Sequence, residues 1–241
     1  SDEAAFARRV LGVPQAKQKI VHNPTDPAFF VPATNKERLI AREKFDIPED
    51  VPVLGSIGRL TDQKDPATLY RAFAKAARSH SSLLLLHIGE GPLERAIKVL
   101  SQELGVVGRI KRIPYQDEPR LFYSAIDGLV MSSTYEAGWP IVILEAMSCG
   151  LSFVTTTAPG MSDIGSAGLS HCWTAPVGDA GGLAVAMAHL VEDLETGRPC
   201  NHRTVIQQRF TPDCCYGAVC DLYERALSLN LGDRRELWPT D

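Results

Sequence analysis

The sequence predicts an α/β protein built on a Rossmann-like, doubly wound parallel sheet of about six strands. Three observations lead there. From Val51 onward, short apolar runs rich in Val, Ile and Leu alternate with longer stretches of helical periodicity. The connections between them are short, so each helix must fold back onto the sheet it has just left. Composition agrees: of 241 residues, 44% are hydrophobic and 22% charged, which excludes a disordered or fibrous chain.

Taken in order, the predicted strands are "VPVLGSIG" (51–58), "SLLLLHIG" (82–89), "RIKRIP" (109–114), "DGLVMSS" (127–133) and "LSFVTTT" (151–157), with a sixth in "GLSHCWT" (168–174). The helical stretches between them are 66–79, 92–105, 118–126 and 140–150, followed by helices at about 180–195 and 212–229. Residues 1–50 fit the alternation less well. "DEAAFARRVLG" reads as a short helix ending at Gly12. "KIVHNPTD" reads as a strand running into a turn, because Asn-Pro and Asp-Pro start turns. "NKERLIAREKFDIPED" reads as a charged helix closed by Pro48. The expected division is therefore a lead-in over 1–50, one domain over 51–228 and a polar tail over 229–241.

A net charge of −4 argues against a duplex nucleic-acid surface, although local basic clusters can still hold phosphate. The longest apolar runs are too short to span a bilayer and no secretory signal is visible. Cys149, Cys172, Cys200, Cys214, Cys215 and Cys220 form no C-x-x-C pair, and read as free thiols of a reducing cytosol. The chain starts at Ser1 rather than Met, which reads as a fragment.

Ligands of such a sheet bind beyond the carboxyl ends of its strands, so the loops there carry the functional argument. The first loop, "GRLTDQK", sets Gly58 and Arg59 ahead of Lys64 at the entry to a helix. A planar fork and a point charge together suit a diphosphate. The plain alternative is a solvated pair of Lys64 with Asp62 or Asp65. No G-x-G-x-x-G fingerprint is present, which argues against a dinucleotide dehydrogenase. The second loop, "GEGP" (89–92), reads as a structural strand-to-helix turn, and Glu90 carries little weight. The fourth, "TYEAGWPIVILEAMSCG", places Glu136 and Glu145 on either side of Gly138, Trp139, Pro140 and Ile141 at a helix start, where backbone N–H groups are free. A carboxylate accepts paired hydroxyl hydrogen bonds, as from a ribose diol or a hexose. Apolar flanks make Glu145 a partnered carboxylate, whereas Glu136 alone is equally a charge on a helix N-terminus. His22, His87, His171 and His189 show no metal spacing, and Trp173, Trp238 and Cys149 read as packing residues.

Together, "VHNPTDPAFF", "GRLTDQK", "GEGPLERAI" and "DGLVMSSTYEAGWPIVILEAMSCGLSFVTT", in this order and spacing, resemble the C-terminal, nucleotide-sugar-binding half of a GT-B retaining glycosyltransferase of family 4. The resemblance covers about residues 18 to 228. It implies that Arg59 and Lys64 hold the donor diphosphate, and that Glu136, the first glutamate of an E-x7-E signature, lies near the donor sugar. It further implies that Glu145 binds the ribose, that the backbone from Gly138 to Ile141 contacts phosphate and sugar hydroxyls, and that Ile113 to Tyr115, including Pro114, contacts the base. Gly58 belongs to the same donor-binding set. The implied donor is a nucleoside-diphosphate sugar of UDP or GDP type. The implied acceptor is a glycan, lipid or small molecule held by an N-terminal domain of which only about residues 1–20 remain. Neither cofactor nor obligatory metal is implied, and the expected location is cytoplasmic or peripheral to the inner membrane. The sequence departs from the family pattern at two loops. Eight residues separate Glu136 from Glu145, with Ala137 as the extra one, and "PGMSDI" (159–164) carries Ser162 and Asp163 where the family has Pro-Glu. Two other readings compete: a nucleotide-binding module without turnover, and a sugar-phosphate synthase or phosphorylase of the same architecture. The latter would need a pyridoxal lysine that is not evident.

Overall fold

A computed structural model describes residues 2–15, 18–162, 164–197 and 200–228. Six strands, β1 (Val53–Ile57), β2 (Leu84–Ile88), β3 (Ile110–Ile113), β4 (Gly128–Val130), β5 (Ser152–Thr156) and β6 (Cys172–Ala175), form one sheet in the order β3-β2-β1-β4-β5-β6. Every neighbouring pair is parallel. The chain winds outward from β1 to β3, then returns and winds the other way from β4 to β6. The boundary between β1 and β4 is therefore a topological switch point, where a doubly wound sheet opens a crevice.

The helices are α1 (Asp2–Arg9), α2 (Asn35–Lys44), α3 (Pro66–Ser79), α4 (Glu94–Glu103), α5 (Pro119–Ala125), α6 (Ile141–Ser148), α7 (Ala180–Thr196), α8 (His202–Arg209) and α9 (Pro212–Ser228). Their ends are chemically marked. Asp65 accepts a hydrogen bond from the Thr68 N–H at 3.0 Å and Pro66 opens α3. Asp179 accepts from the N–H groups of Gly181 and Gly182, both at 2.9 Å, and Gly197 closes α7 in the left-handed region. Thr34 and Glu37 form a reciprocal capping box on α2.

Alternate strand residues serve opposite faces of the sheet, which is why the strands read as near-continuous apolar runs. Leu54, Leu85, Val130 and Val154 meet Leu69 and Phe73 of α3 and Met187 and Leu190 of α7. Leu86, Leu129, Met131 and Phe153 meet Phe122 and Tyr123 of α5, Ile143, Leu144 and Met147 of α6, and Ile206 of α8. Residues before 51 share this second core through Phe30, Ala41, Phe45 and Ile47. Arg42 fastens them. Its guanidinium is fully buried and donates to the carbonyls of Ala125 (3.1 Å), Pro48 (3.1 Å), Glu49 (2.5 Å) and Val51 (2.9 Å) and to Asp127 (2.8 Å). Asp127 also accepts from the Val53 N–H at 2.7 Å and pairs with Arg38. A buried charge needs this degree of satisfaction.

One expectation fails, and one helix was not foreseen. "KIVHNPTD" forms no strand: it runs without regular structure and pairs with no strand of the sheet, and only the Thr25 N–H reaches a distant carbonyl, that of Phe210 at 2.8 Å. Helix α8 was not expected. "HRTVIQQR" carries too few apolar residues to show helical periodicity, yet Ile206 and His202 are buried, the His202 ring lying between the carbonyls of Leu151 (2.8 Å) and Ser170 (2.6 Å). All six cysteines are free thiols, with Cys149 buried at the end of α6. Trp173 packs partly buried on β6, while Trp238 lies outside the described residues.

The close approach of two loops depends on one glycine. Gly89 has φ +144°, and a Cβ there would sit 2.0 Å from the Gly58 carbonyl oxygen, whereas one at Gly105, also at positive φ, would meet nothing within 4 Å. Gly105→Ala is expected to cost about 1–2 kcal/mol of unfolding free energy from backbone strain alone. Gly89→Ala should cost at least about 2 kcal/mol more, because the two loops must also separate. Urea unfolding of both variants measures the difference, and equal losses would show that the contact between the loops is dispensable.

Candidate functional site

The site is built where β1 and β4 end side by side. The loop after β1, Gly58 to Asp65, is lashed to the chain after β4. The Ser132 hydroxyl donates to the Lys64 and Asp65 carbonyls at 2.7 and 2.9 Å, and the Thr134 N–H donates to the Gln63 carbonyl at 2.7 Å. On its other side it is held by the loop after β2: the Gly58 N–H donates to Ile88 (3.0 Å), Leu60 to Glu90 (2.9 Å) and Leu93 to Leu60 (3.1 Å), all backbone to backbone. The loop after β5 closes the row. The Glu136 N–H donates to the Pro159 carbonyl at 2.8 Å. Gly160, at φ +90°, lies so near that a Cβ there would be 1.9 Å from the Glu136 carbonyl oxygen.

These loops enclose an open cleft of about 830 Å³. Gly58, Arg59 and Lys64 line one wall, Glu136 to Val142 with Glu145 line the other, and Glu90, Asn23, Tyr115 and Gln116 lie along its edges. Lys64 pairs with Glu136, whose side chain is only 10% exposed and whose same carboxylate oxygen accepts from the Ser133 hydroxyl at 2.6 Å. Arg59 is exposed at the rim and makes no ion pair among the described residues. Helix α6 opens at Pro140 with no side-chain cap; the Ile143 N–H turns back to the Pro140 carbonyl at 3.0 Å, and Ile141 and Val142, at the positive end of the helix dipole, line the same space. Glu145, one turn into α6, accepts a hydrogen bond from the Tyr123 hydroxyl at 2.6 Å. Burial raises the pKa of Glu145, and the Tyr123 hydrogen bond opposes that rise.

The structure thus brings Gly58, Arg59, Lys64, Glu136, Gly138, Trp139, Pro140, Ile141 and Glu145 to one cleft. It separates two others. Ile113 and Pro114 do not line it: Ile113 packs against the core and its carbonyl accepts from the Gly89 N–H at 2.9 Å, and the chain reaches the cleft at Tyr115 and Gln116. The Trp139 ring is committed to the core, 6% exposed and stacked on Phe210 with centroids 5.1 Å apart, so its edge and backbone are what face the cleft. Lys64 pairs with neither Asp62 nor Asp65, since Asp65 caps α3 and the Lys64 side chain turns across to the loop after β4. "GEGP", read as a structural turn, forms the connection from β2 to α4, and its Gly89 and Glu90 also line the cleft. Within "PGMSDI", the Gly160 N–H and the Ser162 hydroxyl donate to the Asp2 carboxylate at 2.8 and 2.6 Å, and Asp163 lies outside the described residues. Sequence reasoning missed Tyr123, which sits in an ordinary helical stretch and carries no signal of its own. It also missed Asn23, although "VHNPTD" had been singled out.

The family model described as glycosyl transferases group 1 matches residues 37–204. The lipopolysaccharide core biosynthesis glycosyltransferase LpsE of Rhizobium meliloti (strain 1021) is 36% identical over 168 residues, covering 66% of this chain and 46% of that protein. Among solved structures, sucrose-phosphate synthase from Thermosynechococcus elongatus superposes with a TM-score of 0.80 at 25% identity, covering 94% of this chain and 57% of that one. HepE of Anabaena, solved in complex with UDP and glucose, superposes with a TM-score of 0.77 at 20% identity, covering 90% of this chain and 59% of that one, and attests the fold. The chain spans about half the length of these proteins.

Beneath the first loop lies His87, 3% exposed, its Nδ1 3.2 Å from the Tyr70 hydroxyl. Burial lowers its pKa from 6.5 to about 4. The unfolded chain takes up a proton at His87 that the folded chain refuses. Its contribution to stability is therefore complete above about pH 6.5 and is lost as the pH falls towards 4, about 3 kcal/mol in all. Urea unfolding of the native protein and of His87→Gln at pH 7 and pH 4.5 should show a smaller acid loss in the variant. An identical loss would assign the acid sensitivity to other groups.

Proposed function

This chain belongs to the glycosyl transferases of group 1, and we propose that it forms the donor-binding wall of a GT-B glycosyltransferase of family 4, which transfers a sugar from a nucleoside diphosphate with retention. The observation that carries the reading is convergence: two cations, an uncapped helix start and a half-buried carboxylate face one cleft at the switch point of the sheet. Those groups suit the parts of a nucleotide sugar. Arg59, Lys64 and the first amides of α6 take the diphosphate, Glu145 accepts from the ribose diol, and the stretch at Tyr115 and Gln116 lies beside the base. UDP is the first donor to try, because HepE of the same fold was solved with it.

Breaking the bond between sugar and phosphate develops positive charge on the sugar and negative charge on the leaving diphosphate. Fixed cations and amides stabilise the latter most in the transition state. Here the backbone that carries Arg59 and Lys64 is held before any ligand arrives, because backbone hydrogen bonds fix the first loop to its neighbours. Lys64 starts paired with Glu136. A phosphate competing for Lys64 frees the Glu136 carboxylate to face the donor sugar. In this reading the positive charge comes from side chains and amides, without an obligatory metal. The acceptor, a glycan, lipid or small molecule, is held by a part of the protein beyond this half. Among the described residues no helix is long and apolar enough to cross a membrane.

Replacing both Arg59 and Lys64 with alanine should weaken UDP or GDP binding by about 3–6 kcal/mol, since each charge-assisted hydrogen bond is worth roughly 1.5–3 kcal/mol. Calorimetry measures this, and unchanged affinity in the double variant would refute the diphosphate assignment. The fact that the chain spans about half of its relatives favours a second reading, binding without turnover by this chain alone. Positioning of two reactants can account for about 7–11 kcal/mol of a barrier, and this chain supplies one wall. Mass spectrometry of the purified chain with a nucleotide sugar and candidate acceptors should show little product. Robust multiple turnover would overturn the one-wall reading, and the anomeric configuration of that product, read by NMR, would test retention.

A further inference from the structure

Glu145 is held from behind. Tyr123, on α5, is 2% exposed and places its hydroxyl 2.6 Å from Glu145 Oε2 and 3.3 Å from the Val142 carbonyl. Its ring is fixed by edge-to-face contacts with Phe30 and Phe122, at centroid distances of 5.7 and 5.2 Å. Burial and the neighbouring carboxylate push the Tyr123 pKa well above its ordinary value, so the hydroxyl keeps its one proton and donates it. Of its two acceptors, the carboxylate is the nearer and the stronger. Among the described residues no other side chain donates to Glu145. One carboxylate oxygen is therefore engaged while the residue lines the cleft.

A glutamate has three rotatable side-chain bonds, and ordering them on binding costs affinity. A carboxylate already fixed by a rigid, buried donor avoids that cost. We propose that Tyr123 is a positioning residue, which clamps one oxygen of Glu145 so that the carboxylate stands ready for the paired hydroxyls of a nucleoside diphosphate. This rests on the reading that the cleft holds a nucleotide.

The clamp has a signature that packing alone does not produce. Its hydrogen bond favours the ionised form of Glu145 against the burial that disfavours it. Removing the hydroxyl must raise the pH below which Glu145 becomes protonated and ceases to accept. The other ionisable groups near it are Cys149 on α6, which Arg120 of α5 and Arg203 of α8 also influence, Glu136 on its own wall of the cleft, Arg59 and Lys64 on the facing wall, and Glu90 and Tyr115 at the edges.

The test is calorimetry of the full chain with UDP and with 2′,3′-dideoxy-UDP between pH 5 and 8, on the native protein, Tyr123→Phe and Glu145→Gln. Tyr123→Phe should bind UDP about threefold to tenfold more weakly at pH 7.5. The acid limb of its binding profile should move to higher pH, and its defect should shrink with the dideoxy nucleotide. In case the phenylalanine variant does not fold, 3,5-difluorotyrosine installed at position 123 supplies a stronger donor of the same shape and should move the acid limb the opposite way. If Glu145→Gln weakens UDP binding while both changes at 123 leave affinity and pH profile unmoved, the clamp is refuted and the nucleotide site stands. If the native chain binds none of UDP, GDP and ADP, the nucleotide reading and the clamp fall together.

Discussion

Strands β1 and β4 pair in parallel, and the chain leaves them in opposite directions, so neither has a helix crossing over its carboxyl end. What fills the gap is loop. A loop left open to water would have no fixed shape, and a site made of such loops would have no fixed charge distribution. Here the Ser132 hydroxyl, at the end of β4, donates to two successive carbonyls at the start of α3. That contact and its backbone neighbours turn four separate loops into one surface. The positions of Lys64, Glu136 and the start of α6 all follow from it.

The electrostatics of the cleft are balanced without ligand. Lys64 and Glu136 neutralise each other, the Ser133 hydroxyl donates to the same carboxylate oxygen, and Arg59 stays in solvent. Partly buried pairs of this kind are expensive to leave half-made. A ligand that takes Lys64 must therefore supply charge of its own, which favours a polyanion over a neutral sugar. Glu145 lies on the same wall as Glu136, and burial raises its pKa. The two glutamates that bracket the Gly-Trp-Pro turn thus have different environments: one is matched by a cation, the other by a phenol.

Much of this was legible in the sequence, and the reasons differ by element. The strands could be read because burial on both faces makes Val53–Ile57 or Leu84–Ile88 apolar throughout. Arg59, Lys64, Glu136 and Glu145 could be read because a parallel sheet directs attention to the loops at one edge. Of the stretch Ile113 to Tyr115, only Tyr115 lines the cleft: a strand end is visible in a sequence, but the point at which the chain turns toward the cleft is not. Trp139 looked like a site residue because of its position, yet Phe210, far away in the chain, supplies the face on which it stacks. Tyr123 left no trace, since its role depends on a carboxylate brought to it by folding. Helix α8 was hidden by its polarity and exists because a buried His202 and Ile206 anchor it.

The pairing that makes the cleft joins Leu54 to Gly128, and the side chain of Asp127 reaches back to the Val53 N–H across 74 residues of chain. Arg42 spans 83 residues to the Ala125 carbonyl and 85 to Asp127. No hairpin or single helix-loop unit contains the site in miniature. Its closure entropy is paid over one long loop, and contacts of this range form slowly compared with local ones. The nascent chain therefore has no such cleft until β4 has left the ribosome and found β1, and a peptide copied from the first loop alone would be a flexible basic segment with nothing to hold its lysine.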